Sequence, residues 1–286
     1  MAPRIPRPGS ARTPRLHRFG VRVRYRSVMI FRNLLPTIVL VMISAALPLQ
    51  ALALTQQEQW EVSVGQKEYN TLQSQGKIIS QSPYYAILNP IAKRIASVAD
   101  RRYFRPFHFL LVNDKQPNAF SVPGGNVYVT TAMMTFAQNQ QELAGVLCHE
   151  TAHDIHHDVY NNARKDQNLA IGATILSILL ARNSQVGQNI IGLGANLQAL
   201  NFSREVESRA DHTGAYICAQ AGENPWGMVW MFRRFESKPS GVPLEMLSDH
   251  PRDDHRVTDL INLFRDNPGT FGRYSSNVAT ATPLRR

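Results

Sequence analysis

The sequence predicts an α+β domain, mainly helical, with a small sheet of about three strands beside one central helix. Three observations lead there. From about residue 132 onward the reading is helical, with apolar residues at helical spacing. Short β-rich runs are confined to 107–130. No internal repeat or linker divides 54–286, so that stretch reads as one domain. At 286 residues and 43% hydrophobic, the chain is long and apolar enough to bury a sizeable core.

Taken in order, residues 29–53 (MIFRNLLPTIVLVMISAALPLQALA) have the layout of a secretory signal peptide. Arg32 supplies the positive end, Leu34 to Leu47 the apolar stretch, and Ala51-Leu52-Ala53 a small-x-small cleavage site. A retained anchor is the competing expectation, and Pro36, Pro48 and the polar residues from Gln50 onward argue for cleavage near Ala53. Residues 1–28 read as an over-extended N-terminus ahead of a start at Met29, with a transit peptide as the alternative.

The charge follows the same division. The formal net charge is +10, but residues 1–53 hold nine arginines and neither lysine nor acid. Removing those nine leaves +1 for 54–286, which gives no electrostatic reason to expect nucleic acid. Two cysteines make neither a disulfide framework nor a four-cysteine metal site.

A helix is predicted over 55–78 and another over 84–100. Residues 107–113 have strand composition, and Pro123-Gly124-Gly125-Asn126 is a turn between runs 118–122 and 126–130. Helices follow over 140–158, 203–221 (ending at Gly222), 225–237 and 254–265, with a loop from Pro239 to Pro251. The apolar stretch 169–181 is short and interrupted by glycine, so packing is its default reading, with a lid, an oligomer contact or peripheral membrane contact as alternatives. The tail after about 268 reads as polar and disordered.

Residues 149–153 are His-Glu-Thr-Ala-His. On a helix, positions i and i+4 share a face, so His149 and His153 can reach one zinc ion. Glu150 projects beside them, within range of a water on that ion. With nine histidines in the chain, the pattern is expected by chance roughly 0.01 times. A third protein ligand is needed. The run Ser203-Arg-Glu-Val-Glu-Ser-Arg-Ala-Asp211 places Glu207 and Asp211 on one helical face; either can bind metal while the other holds a ligand imidazole. Glu205 points elsewhere and reads as a solvated charge beside Arg209.

HETAH followed about fifty residues later by SREVESRAD resembles the gluzincin family of the CAAX prenyl endopeptidases, the HtpX membrane protease and secreted Gram-negative quality-control peptidases. The resemblance implies Glu207 as the third ligand of a single Zn2+ and Asp211 behind it. NAFSVPGGNVYVTTAMM (118–134) is similar to the stretch before that helix in the family. There the strand opening with Gly125, Asn126, Val127 and Tyr128 would be an exposed edge onto which a peptide adds. His250-Pro251 with Arg256 matches a further family pattern, which implies two roles for His250: steadying the oxyanion, or occupying the open zinc position and holding the enzyme off. Arg256 would steady the oxyanion. His156, His157 and Asp158 stand where relatives carry a single later histidine, and they are not read as ligands. Cys148 and Cys218 lie on helices that would converge at the metal; they could pair in an oxidising compartment, but two buried small residues is the plainer expectation.

The implied function is a periplasmic or otherwise secreted zinc metalloendopeptidase acting on unfolded or misassembled envelope proteins, with outer-membrane assembly machinery as a possible partner. The competing expectation is a chaperone or assembly factor for outer-membrane proteins, its zinc site gated by His250.

Overall fold

A computed structural model describes residues 54–165, 202–237, 250 and 255–284. The leader, the apolar stretch 169–181 and most of the 239–251 loop lie outside the described residues. Among the described residues, no helix is long and apolar enough to cross a membrane.

Helix α1 (Gln56–Ser74) opens with a capping box: the Thr55 hydroxyl accepts from the Glu58 amide, and Glu58 reaches back to the Thr55 amide. Then come β1 (Ile78–Ile79), α2 (Tyr85–Ala99), β2 (His108–Val112), β3 (Ala119–Val122) and β4 (Asn126–Thr130). The helices that follow are α3 (Thr131–Phe136), α4 (Gln140–Ile155), α5 (Asp158–Lys165), α6 (Arg204–Gln220), α7 (Trp226–Glu236), α8 (His255–Asp266) and α9 (Pro268–Phe271).

The sheet has four strands in the order β1-β2-β4-β3, one more than the expected three. The extra strand is two residues long, too short to show alternation, and exists only because Ile78 and Ile79 pair antiparallel with Val112 and Leu111. β2 and β4 are parallel, and β3 folds back antiparallel to β4.

Side chains alternate cleanly across this sheet. Leu111, Ala119, Val127 and Val129 join a core with Leu88, Ile91 and Ile95 of α2 and Leu143 and Leu147 of α4. Val112, Val122 and Tyr128 point to the other face, where α1 lays down Trp60, Val64 and Leu72. Burial on both faces locks the register, since a slip by one residue would exchange the two sets.

Helix α4 is buried continuously from Glu142 to Asp154. Its N-terminus is capped by the Asn139 side chain, which accepts from the Glu142 amide at 2.8 Å. The buried Glu142 carboxylate is answered by Arg234 of α7, in a two-point contact at 3.0 and 2.5 Å. A Cβ on Gly227 would lie 1.9 Å from the Gln141 carbonyl, so only glycine lets α7 cross α4 this closely.

The expected disordered tail is instead folded onto α4. The Gln140 amide donates to the Thr282 carbonyl at 2.9 Å, Pro283 bridges Asn139, and Leu284 is buried. Its polar composition hid this, because the contacts are made largely through backbone.

Cys148 and Cys218 form a disulfide joining α4 to α6, with Cα atoms 5.8 Å apart. This overturns the plainer expectation of two unbonded buried residues. The helices cross closely here because α6 presents Gly214, whose absent Cβ would sit 3.1 Å from the Cys148 and His149 backbone. That approach also delivers the acidic face of α6 to His149.

Candidate metal centre

His149, Glu150 and His153 are all buried on α4. Glu207 and Asp211, one turn apart on α6, face them and are equally buried. The donor atoms of His149, His153, Glu207 and His250 all lie within 4.8 Å of one another.

The proton positions follow from the carboxylates. His149 Nδ1 lies 3.0 Å from Asp211 Oδ1, and His153 Nδ1 lies 2.9 Å from Asp158 Oδ2. An ionised carboxylate only accepts, so Asp158 holds the hydrogen of its bond to His153 on Nδ1, and Asp211 favours a hydrogen on the His149 Nδ1 that faces it; both rings turn Nε2 inward, where a metal ion would take the place of a proton. Those two Nε2 atoms are 3.1 Å apart. His149 Nε2 is also 3.4 Å from Glu207 Oε2 and 3.2 Å from His250 Nδ1, while His153 Nε2 is 3.7 Å from Glu207 Oε1.

Ring nitrogens and carboxylate oxygens converging at such distances share either a proton or a metal ion. Ligands about 2.1 Å from a tetrahedral ion stand about 3.4 Å apart, which is the spacing found here. The residues therefore fit a divalent metal ion. The electrostatics agree. Burial works against a charged His149 ring, but Asp211 and Glu207 outweigh it and push the ring up to about 9. His250 is likewise raised, the Glu207 and Glu150 carboxylates overcoming its burial. Glu207 is held well below the usual carboxylate range, its burial offset chiefly by His250 and His149. A metal ion binding here would displace such protons.

Arg256 does not stand free at an expected oxyanion position. Its guanidinium forms a fork to Asp211 at 2.7 Å on both contacts, lies 3.0 Å from Glu207 Oε2, and stacks 4.1 Å over the Phe232 ring. Two buried carboxylates one turn apart need a counter-charge, and the planar guanidinium answers both. Arg256 thus holds Asp211 and Glu207, with its Nη2 3.5 Å from His149 Nε2.

The expected substrate edge is also corrected. Gly125, Asn126, Val127 and Tyr128 lie at the start of β4, which is paired on both sides, and Tyr128 is fully buried. The Gly125 amide donates to Asp154 at 3.1 Å, and its carbonyl accepts from His108 at 2.7 Å. The edge beside the site is β3, because the Pro-Gly-Gly turn folds it to the outside of β4. Asn118 turns its carbonyl to Thr130, so Ala119 and Ser121 turn their backbone groups away from β4. The Ser121 amide donates to Glu150 Oε2 at 3.0 Å.

Comparison with known proteins agrees with this geometry. The model of peptidase family M48 matches residues 86–263, from α2 through most of α8. The chain belongs to peptidase family M48. It is 28% identical over 212 residues to the beta-barrel assembly-enhancing proteases of Yersinia pestis and Escherichia coli K12, covering 71% of this chain and 43% of each relative. It is 25% identical over 183 residues to the mitochondrial metalloendopeptidase OMA1 of Schizosaccharomyces pombe, covering 63% of this chain and 53% of that one. The M48 domain thus spans about half the length of the curated relatives it matches.

Two site residues were not foreseen as such. Asp158 is buried against His153, and Arg209 forms an ion pair with it rather than with Glu205, which is exposed. Helical spacing could not reveal Asp158. Five residues after His153, it would lie about 140° around an unbroken helix.

Proposed function

We propose that this M48 domain is a zinc metalloendopeptidase that hydrolyses peptide bonds in unfolded or misassembled polypeptides of the Gram-negative envelope. The observation that carries the reading is the position of Glu150. It is buried next to a convergent His149, His153 and Glu207 donor set, with one oxygen on an edge strand and the other without a hydrogen-bond partner.

His149, His153 and Glu207 would hold the zinc, which when bound acidifies water and polarises a carbonyl. The chain's own residues do the rest. A peptide added along β3 would be gripped by the outward backbone groups of that strand, largely independently of its side chains, with the Ser121 amide left on Glu150. Such indifference suits unfolded substrates. Glu150 takes a proton from the attacking water and passes it to the leaving amine. Asp211, fixed by Arg256, keeps the proton on His149 Nδ1.

The Cys148–Cys218 disulfide supports an oxidising compartment, in keeping with a periplasmic location after signal cleavage near Ala53. The names of the bacterial relatives support a role alongside outer-membrane assembly machinery.

One observation favours a second reading, a chaperone or assembly factor with a gated zinc site. His250 Nδ1 stands among the donors, 2.8 Å from Glu207 Oε1, and its Nε2 is 3.4 Å from Glu150 Oε1. As a fourth ligand it would close the position that substrate needs.

The test is cleavage of casein by the zinc-loaded protein. Glu150→Gln should lower the rate about 10²–10⁴-fold with zinc retained. A gate predicts that His250→Ala cleaves faster than wild type. Absence of cleavage by wild type and by His250→Ala, with zinc bound, would sink the peptidase reading and favour the chaperone.

A further inference from the structure

The segment His156-His157-Asp158 lies just past the metal-binding helix. We infer that Asp158 and Arg209 form a second positioning arm of the metal centre: Asp158 sets the tautomer and aim of His153, and Arg209 holds Asp158 in place. The inference rests on the metal reading of His149, His153 and Glu207.

The arm is built by a helix break. His157 has φ of +54°, the single non-glycine residue with positive φ among the described residues. Its amide closes onto the Asp154 carbonyl at 2.9 Å, and the His156 amide onto Ala152 at 3.0 Å, a left-handed ending that stops α4. A left-handed conformation strains a side chain with a Cβ, so something must hold it. The His157 ring is held: its Nδ1 meets Glu61 Oε1 of α1 at 2.7 Å, and it packs 5.4 Å from the Tyr103 ring. Glu61 is buried, and its other oxygen accepts from the Tyr103 hydroxyl at 2.7 Å.

The break turns the chain back on itself. Asp158, now the first residue of α5, places Oδ2 2.9 Å from His153 Nδ1. Its other oxygen, Oδ1, pairs with Arg209 of α6. The Asp158 carboxylate is fully buried, whereas the Arg209 side chain is about half exposed. Both oxygens are therefore engaged, one by the ring and one by the guanidinium. A carboxylate so engaged can neither rotate nor release the ring. His153 is left with the Nδ1–H tautomer and with Nε2 directed at His149 and Glu207. The same three-part order, arginine to aspartate to imidazole, serves His149 through Arg256 and Asp211.

The readout is zinc affinity of the full protein, by competition with a chromophoric chelator. Asp158→Ala should weaken zinc binding about 10–100-fold. Asp158→Asn, which keeps an acceptor of the same shape but not the charge, should recover part of that loss. Arg209→Ala, removing a half-exposed partner, should weaken zinc binding about two- to fivefold, and unchanged affinity would remove Arg209 from the arm. Glu205→Ala, an exposed acid on the same helix, should leave binding unchanged. The visible spectrum of the cobalt-loaded protein adds a signature that a purely structural residue would not move. Asp158→Asn should shift the cobalt bands, while the melting temperature of the metal-free protein stays near wild type.

Wild-type zinc affinity retained in both Asp158 variants, with unchanged cobalt bands, overturns the inference and leaves the metal reading standing. A wild-type protein that fails to bind zinc overturns the metal reading, and the inference with it.

Discussion

His149 and His153 stand one turn apart on the same helix, yet their supports differ in depth and origin. Behind His149, Asp211 is buried and the Arg256 side chain only 10% exposed, and they come from α6 and α8, far along the chain. Behind His153, Asp158 comes from the next helix, five residues on, and its arginine is half exposed. On the reading proposed above, the first support, packed in the core, would couple metal binding to the stability of the fold. The second, local and solvated at its outer end, would tune the metal with little effect on the fold.

Asp211→Ala breaks the deep support and should show the largest effect. It strips the fork from a buried guanidinium, and removing one partner of a buried pair costs about 3–5 kcal/mol. Denaturant unfolding should show that loss, together with a fall in zinc affinity measured by chelator competition. A variant that weakens zinc without loss of stability would erase the contrast with Asp158.

The contrast also assumes that α4 and α6 move as one unit. Their disulfide spans 70 residues of sequence, and closing a loop of that size is worth about 4 kcal/mol in the loop-entropy account. Replacing both cysteines by alanine should lower unfolding stability by about that amount. Reducing agent should have the same effect on the wild type and none on the double variant.

The smallest effect should come from behind the shallow support. The Glu61 contact raises His157 above its ordinary 6.5, despite partial burial of the ring. A histidine raised by folding contributes stability that is full below about pH 6.5 and fades as pH climbs through the raised value. Glu61→Gln should therefore flatten the decline in stability from pH 6 to 8, measured by unfolding at a series of pH values. An unchanged slope would remove Glu61 from the set of residues holding the helix break.

Much of this was legible because it is local. HETAH is a spacing on one helix, and the helical faces of 140–158 and 203–221 show in their residue order. Gly222, at φ of +77°, ends α6 where its position suggests. Which of Glu207 and Asp211 would bind metal was not legible from spacing, since both share a face; the family likeness implied Glu207. The edge strand was misplaced because pairing partners are not local: β4 has strand composition whether it lies at an edge or in the middle. The tail was misjudged because its polar residues dock through backbone.

The sequence by itself determined that a helix would carry two imidazoles and a carboxylate on one side, that a second acidic helix would follow, and that a glycine turn would join two short strands. These depend on periodicity and turn chemistry within a few residues. Only the tertiary structure decided that α4 and α6 cross at Gly214 and join through Cys148 and Cys218. It also decided that β3 lies outermost, that Arg256 answers Asp211, and that a left-handed His157 turns Asp158 onto His153. Each of these depends on groups that meet only after the chain has packed, where burial makes an unpaired charge or backbone group costly and so selects its partner.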